Sequence, residues 1–422
     1  MTPQSIAQAS CADDYDPNSM PVDKARAFIH RFLEPVSAAV RVPIRGALGR
    51  VLAEDVTSPV DVPSHRNSAM DGWAMRGADL APAGETTLEE IGVSFAGRPF
   101  AGRVGAGQCV RIMTGGVVPE GADTVVMQER ARADAKRVTF APGQKTGQNV
   151  REAGEDLRRG AVALARGRIV RPADLGLLAS LGVGEVPVHR PLRVAFFSTG
   201  DELKSIGTAL GEGEIYDSNR YTLHGMLQRL GCEVLDMGVV RDDPALLERA
   251  FREAAESADV VITSGGVSVG EADFVKGMMG KLGEVVFWKI AMKPGRPLAY
   301  GRIAGAHFFG LPGNPVSVMV TFYQFVREAL LRLMGADPVP PLPTFPATCT
   351  ARLKKAPGRT EFQRGILERA EGGEWTVRPT GDQGSGILKS MSEANCFIIL
   401  GEAVGNVEAG TRVQVQPFEG LV

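Results

Sequence analysis

Apolar residues change their spacing several times along the chain. From Arg41 to Val186 short β-prone pieces such as CVRIM (109–113), TVVMQE (124–129) and RVTF (137–140) are separated by Gly and Pro, with no helical periodicity. This pattern predicts a β-rich region. At about Pro191 the pattern becomes near-continuous apolar runs: LRVAFFS (192–198), CEVLDMGVV (232–240), DVVITS (259–264), VVFWKIAM (285–292), PLAYG (297–301) and AHFFGL (306–311). Between them lie helical stretches. One runs from Ser218 or Asn219 to Leu230 and stops at Gly231; another opens on Asp242-Asp243-Pro244. A third is expected around 271–281, and Asn314-Pro315 caps a long helix to about Met334. Apolar strands alternating with capped helices indicate a buried, mostly parallel sheet covered on both faces.

The flanks read differently. Residues 1–18 are polar and predict a flexible tail, followed by a short amphipathic helix from about Val22 to Leu33. Residues 338–346 (PVPPLPTFP) cannot continue a helix or a central strand and predict a semi-rigid linker. Beyond it, short strands predict a small β-barrel or sandwich.

Composition narrows the possibilities. A chain of 422 residues, 44% apolar, exceeds a single core and implies roughly two to four structural units. A net charge of -2 argues against nucleic acid as partner, while allowing a local cationic pocket. The five cysteines are dispersed, without a Cys-x-x-Cys pair or Cys/His cluster, which argues against structural zinc and a disulfide framework. The N-terminus lacks a basic start followed by an apolar run, and no stretch approaches the length of a membrane span, so a cytoplasmic location is expected. None of the five histidines stands beside a nucleophile motif, and His307, inside an apolar run, reads as a core residue.

Open parallel sheets bind ligands at the carboxyl ends of their strands. Polar segments fall there: Ser198-Thr199-Gly200-Asp201-Glu202, then Ser264-Gly265-Gly266-Val267-Ser268 with Asp273 beyond, and Leu311-Pro312-Gly313-Asn314-Pro315. Glycine loops at helix starts suit a phosphate, although a plain strand-to-helix turn fits the Ser-Gly-Gly segment equally well. Glu202, Asp242 and Asp273 each follow a predicted strand, and together they suit Mg2+. Asp242 taken alone reads better as a helix cap. Lys289 and Lys293, on one face of one predicted strand, would repel without an anion between them. Met70-Asp71-Gly72 reads only as a turn.

The ordered set SAMDGWA (68–74), RIMTGG (111–116), GED (154–156), STGDEL (198–203), IYDSNR (215–220), SGGVSVGEADF (264–274), KPGRP (293–297) and LPGNPVS (311–317) resembles the molybdopterin molybdenumtransferase family, which includes MoeA and the gephyrin E-domain. Two departures, Trp73 for the more common Tyr or Phe and Arg296 for Lys, keep the aromatic and the charge. The resemblance implies an elongated homodimer. In each chain, residues 19–38 complete a central doubly wound molybdopterin-binding α/β domain at 183–340. A small domain (39–57 and 158–182) carries an inserted β-rich domain (58–157), and a C-terminal β-barrel spans 341–422.

The same resemblance assigns catalytic roles to Asp71, Thr114, Asp156, Glu202, Asp273, Lys289 and Lys293. It places substrate on Ser264, Gly265, Gly266, Ser268, Pro312, Gly313, Asn314, Pro315, Arg364 and Ser385, and Mg2+ on Glu202, Asp242 and Asp273. The implied reaction inserts molybdenum from molybdate into adenylylated molybdopterin and releases AMP. The implied cleft lies between the α/β domain of one subunit and the second and fourth domains of its partner. A molybdopterin adenylyltransferase would act upstream and molybdoenzyme maturation factors downstream. Rival readings are the adenylyltransferase itself, which shares the α/β fold, and a gephyrin-like scaffold.

Overall fold

A computed structural model of the chain describes residues 5–12, 16, 18–36, 38–266, 277, 278 and 280–418. Its centre is a six-stranded sheet in the order Glu233–Val240, Arg193–Thr199, Val260–Ser264, Ala306–Leu311, Pro297–Ile303, Gly283–Lys289. The first four strands are parallel, and the last two add antiparallel to Ala306–Leu311. The run Val260–Ser264 is buried throughout, as a strand covered on both faces must be.

Each covering helix shows why it forms. Helix Pro244–Ser257 begins where the Asp243 carboxylate accepts from the amides of Ala245 and Leu246, with Pro244 in its first turn. Its apolar stripe, Leu247, Ala250, Phe251, Ala254 and Ala255, packs on Phe197 and Phe308. Helix Ser218–Arg229 covers the opposite face with Leu223, Met226 and Leu227, and ends before Gly231. The long helix opened by Asn314-Pro315 runs through Pro315–Thr321 and Arg327–Leu333, with a π-helical turn at Phe322–Val326 between them. The helix expected at 271–281 falls mostly outside the described residues.

The N-terminal helix Val22–His30 buries Val22, Ala25, Phe28 and Ile29 in the same core, and Phe28 meets Trp288 edge-on at 5.0 Å. Within the polar stretch that reads as a tail, residues Ile6–Ala12 form a further helix. Ile6 is buried, and the Glu284 carboxylate accepts from the Ser5 hydroxyl and the Ile6 amide. A seven-residue helix is too short to hold on its own and leaves little signal; it forms because a strand edge offers it both an anchor and a core.

Strands Ala39–Pro43 and Glu185–His189 pair antiparallel and, with helix Pro172–Ser180, enclose a small core that includes Leu52, Leu178 and Val186. Into this unit is inserted a six-stranded sheet that includes Gly72–Met75 and Gln108–Ile112. At the other end, strands Phe345–Cys349, Thr360–Arg369, Trp375–Pro379, Cys396–Leu400 and Arg412–Pro417 close on themselves, the last bond of the ring joining Thr360–Arg369 to Cys396–Leu400. This is the β-barrel. Among the described residues no helix is long and apolar enough to cross a membrane.

Lys289 and Lys293 do not share a strand. Gly283–Lys289 ends the central sheet, whereas Met292–Lys293 pairs parallel with Thr360 and Glu361 of the barrel. Ile290 bridges to Met20 and the chain bends at Ala291 before joining the barrel, so the two lysines lose the common face expected of one strand.

Candidate functional site

Strand Arg193–Thr199 has Glu233–Val240 on one side and Val260–Ser264 on the other, so connections leave it in opposite directions. Such a switch point opens a crevice at the carboxyl ends of the strands. Here a cleft of about 740 Å³ is lined by Thr199, Gly200, Glu202, Asp242, Ser264, Gly265, Gly266, Lys293, Pro312, Gly313, Asn314, Pro315 and Ser385. The three polar segments singled out in the sequence therefore do meet.

The glycines of the Ser264-Gly265-Gly266 loop are sterically required. Gly265 has φ +90°, and a Cβ there would sit 2.5 Å from the Thr199 carbonyl oxygen; at Gly266 it would sit 2.9 Å from the Thr199 hydroxyl. The loop thus lies directly on the end of the neighbouring strand. Asn219 ties it to the second loop: its carboxamide nitrogen donates to Ser264 Oγ at 3.0 Å and to the Gly313 carbonyl at 2.6 Å. Asp217, which caps the same helix by accepting from the Arg220 amide, is buried beside it. Thr199 Oγ1, Asp217 Oδ2 and Asn219 Oδ1 are buried with no hydrogen-bond partner among the described residues. Sequence pattern assigns no site role to Asp217 or Asn219, although both lie in the segment IYDSNR; the polar run Asp217-Ser218-Asn219-Arg220 after a short apolar piece is the available signal.

The acids divide cleanly. Asp243 caps helix Pro244–Ser257, and Asp242 lines the cleft wall. Glu202 lines the same cleft, its carboxylate folded against Gly200, where a Cβ would fall 2.5 Å from Oε2. Asp273 and Ser268 lie outside the described residues. Among the described residues no cluster of three or more His, Cys, Asp or Glu could hold a metal. Glu202 and Asp242 nevertheless fit Mg2+, which takes one or two protein carboxylates and completes its shell with water and substrate phosphates.

The cations are less uniform. Lys293 reaches the cleft and pairs with Glu361 at 3.4 Å. Lys289 is half-buried at a strand end and is not among the cleft residues. Arg364, expected to bind substrate, is 1% exposed and turned inward. Its guanidinium donates to the carbonyls of Asp382, Gln383 and Gly384 and to Ser390 Oγ. Burial draws its pKa down to about 10. Arg364 therefore holds up the loop that brings Gln383, Gly384 and Ser385 to the cleft. The Ser385 carbonyl accepts from the Val316 amide, docking the barrel on the helix start within the same chain. The fourth domain of the same chain therefore lines this part of the cleft.

Asp71, Thr114 and Asp156 do not line the cleft of their own chain. Asp71 accepts from the Thr114 amide at 2.7 Å and from its hydroxyl at 2.8 Å, and these bonds hold its carboxyl below the usual range. Nearby, the Arg111 guanidinium stacks on Trp73 at 4.2 Å, and the Trp73 indole donates to Glu90 at 2.7 Å. Asp156 is exposed, its amide bonded to the Val62 carbonyl. His307 is buried and its pKa is pushed down to about 4, chiefly by burial, as befits a core residue.

Fold and cleft together define a multidomain α/β protein with a polar cleft at the carboxyl end of a parallel sheet, where such sheets bind ligands. Comparison with known proteins gives the family. The MoeA N-terminal region (domain I and II) matches residues 20–182, a probable molybdopterin binding domain matches 195–332, and the MoeA C-terminal region (domain IV) matches 346–418. The chain is 46% identical over 402 residues to the molybdopterin molybdenumtransferase of Haemophilus influenzae, covering 95% of this chain and 99% of that one. It is 34% identical to the molybdopterin molybdenumtransferase of Bacillus subtilis, covering 94% and 93% of the two chains. The crystal structure of the molybdopterin biosynthesis MoeA protein from Pyrococcus horikoshii OT3 superposes with a TM-score of 0.81 at 29% identity, covering 95% of this chain and 100% of that one. The chain belongs to the molybdopterin molybdenumtransferase family.

Proposed function

We propose that this chain inserts molybdenum from molybdate into adenylylated molybdopterin and releases AMP with the help of Mg2+. The observation that carries this reading is the cleft itself. It brings together two glycine loops joined by Asn219, a pair of carboxylates, Glu202 and Asp242, and a cation, Lys293.

The pyrophosphate of the substrate suits the Ser264-Gly265-Gly266 and Pro312-Gly313-Asn314 loops, where the backbone can approach closely. Mg2+ held by Glu202 and Asp242, with Asp273 as a further candidate, would offset the negative charge of the pyrophosphate. Molybdate, a compact dianion, suits the wall formed by Lys293 and Ser385, with the buried Arg364 charge behind the loop. Lys289, which does not line the cleft, has the weaker claim to this seat. The cations oppose the mutual repulsion of the two anionic substrates and favour the charge that develops as the pyrophosphate linkage breaks.

A homodimer would explain why Asp71, Thr114 and Asp156 stand away from their own cleft, since a second copy can present its β-rich domain there. In the cytoplasm, an adenylyltransferase would supply the substrate and maturation factors would receive the product. The test is to incubate purified protein with adenylylated molybdopterin, molybdate and Mg2+, and to count molybdenum on the isolated pterin. One molybdenum per pterin supports the reading; pterin recovered without metal rejects it.

A further inference from the structure

Lys293 does not stand alone at the cleft wall. Its backbone pairs with the barrel, Met292 opposite Thr360 and Lys293 opposite Glu361, and its ammonium lies 3.4 Å from Glu361 Oε1. The exposures are unequal: 46% for the Lys293 side chain and 6% for that of Glu361. A carboxylate so well buried must have its oxygens satisfied. Oε1 faces Lys293, and Oε2 accepts from Gln363 Nε2 at 2.9 Å. Gln363 is itself buried and donates to the Lys354 carbonyl. Close by, the buried ammonium of Lys355 donates to the carbonyls of Ala356, Glu402 and Val404. Glu361 thus pairs with the Lys293 cation at the cleft and also feels the buried Lys355 charge.

We propose that Glu361 is the positioning residue that holds the Lys293 ammonium at the cleft wall for the anionic substrate. This rests on the reading of Lys293 as part of the oxyanion seat. A lysine is a point charge on a long flexible stem, and one exposed to nearly half its area would otherwise sample many rotamers. Glu361 restricts it from below, using a carboxylate that Gln363 fixes in turn. The same carboxylate opposes the attraction of the wall for an anion, so the site trades affinity for placement. Because Glu361 belongs to the barrel and Lys293 to the short strand that follows the central sheet and pairs with it, the pair also couples barrel docking to the seat.

The experiment measures steady-state kinetics of molybdate-dependent AMP release by the full-length protein carrying Glu361→Gln, Glu361→Asp, Lys293→Met, or Glu361→Gln with Lys293→Met. Glu361→Gln removes the opposing charge and releases the lysine. The KM for molybdate should fall roughly three- to tenfold while kcat falls about tenfold or more, two shifts that simple loss of structure would not produce together. Glu361→Asp keeps the charge, so its KM should stay near that of the parent, with part of kcat restored. In the double variant Glu361→Gln should add little to Lys293→Met, because the group it positions is gone. Parallel thermal melts identify a variant that fails to fold, and Glu361→Asp then carries the comparison. An unchanged KM and kcat in Glu361→Gln, or effects that simply multiply in the double variant, would overturn the proposal while leaving the Lys293 seat standing. Unchanged turnover in Lys293→Met would remove the seat and this proposal together.

Discussion

Asn219 and Ser264 are joined by a 3.0 Å hydrogen bond from carboxamide to hydroxyl, and the same nitrogen reaches the Gly313 carbonyl. One side chain at a helix start therefore fixes the spacing of two loops that come from strands distant in sequence. Asn219→Ala should lower stability by about 1–3 kcal/mol, since it leaves buried polar groups unpaired. It should also raise the KM for adenylylated molybdopterin more than it changes kcat. Denaturant titration and steady-state kinetics check the two parts separately.

Gly265 offers a steric test. Alanine at φ +90° would be strained, and its Cβ would press on the Thr199 carbonyl oxygen. Gly265→Ala should lower the melting temperature by several degrees, equivalent to about 1–3 kcal/mol, and abolish pterin loading. Gly207, also at positive φ but with open space around its Cβ position, is the control. Gly207→Ala should cost about 1 kcal/mol of backbone strain and leave loading intact.

Thr114 governs the ionisation of Asp71. Its amide and hydroxyl both donate to the carboxylate, so the folded-state pKa lies below the ordinary value. Thr114→Val removes the hydroxyl and keeps the amide, which lets the pKa climb back toward normal. If ionised Asp71 acts in turnover, activity in the variant should fall off at a higher pH than in the parent as the solution is acidified. Asp71 is fully exposed, so the melting temperature should not change. A pH–rate profile of both proteins is the measurement.

Asp259 anchors the edge of the central domain. Burial would raise its pKa, but hydrogen bonds from the Arg190 side chain and the Arg193 amide outweigh this and lower it. The contribution to stability is therefore full above the unfolded carboxylate value of about 4 and is lost as pH falls through the lower folded value. Asp259→Asn should destabilise the protein by about 1–3 kcal/mol at neutral pH, with a gap that narrows below about pH 4. Melts across pH 3 to 7 (a range chosen to bracket roughly the carboxylate titration) show whether the gap closes.

The central sheet was legible because a strand buried on both faces must be apolar throughout, and Val260–Ser264 is. Helix caps were legible to within a residue; the Asp242-Asp243 pair was ambiguous, and only the geometry gave the cap to Asp243. The glycine loops and Glu202 were found because strand ends are where such sheets bind. What pattern alone could not show depends on tertiary contact. Ile6–Ala12 takes its helix from docking, Lys293 leaves its expected strand to join the barrel, and Arg364 lies beneath a loop instead of facing substrate. Asp71 gave no signal beyond that of a turn, because its importance comes from resemblance to a family and from a neighbour 43 residues away, Thr114.

The most direct test of the account is AMP release from purified protein given adenylylated molybdopterin and Mg2+, with and without molybdate. The account predicts release that depends on molybdate and leaves molybdenum on the pterin. Release at the same rate without molybdate would contradict it. So would an absence of release in a protein that instead forms adenylylated pterin from ATP, which would place the chain one step earlier in the same chemistry.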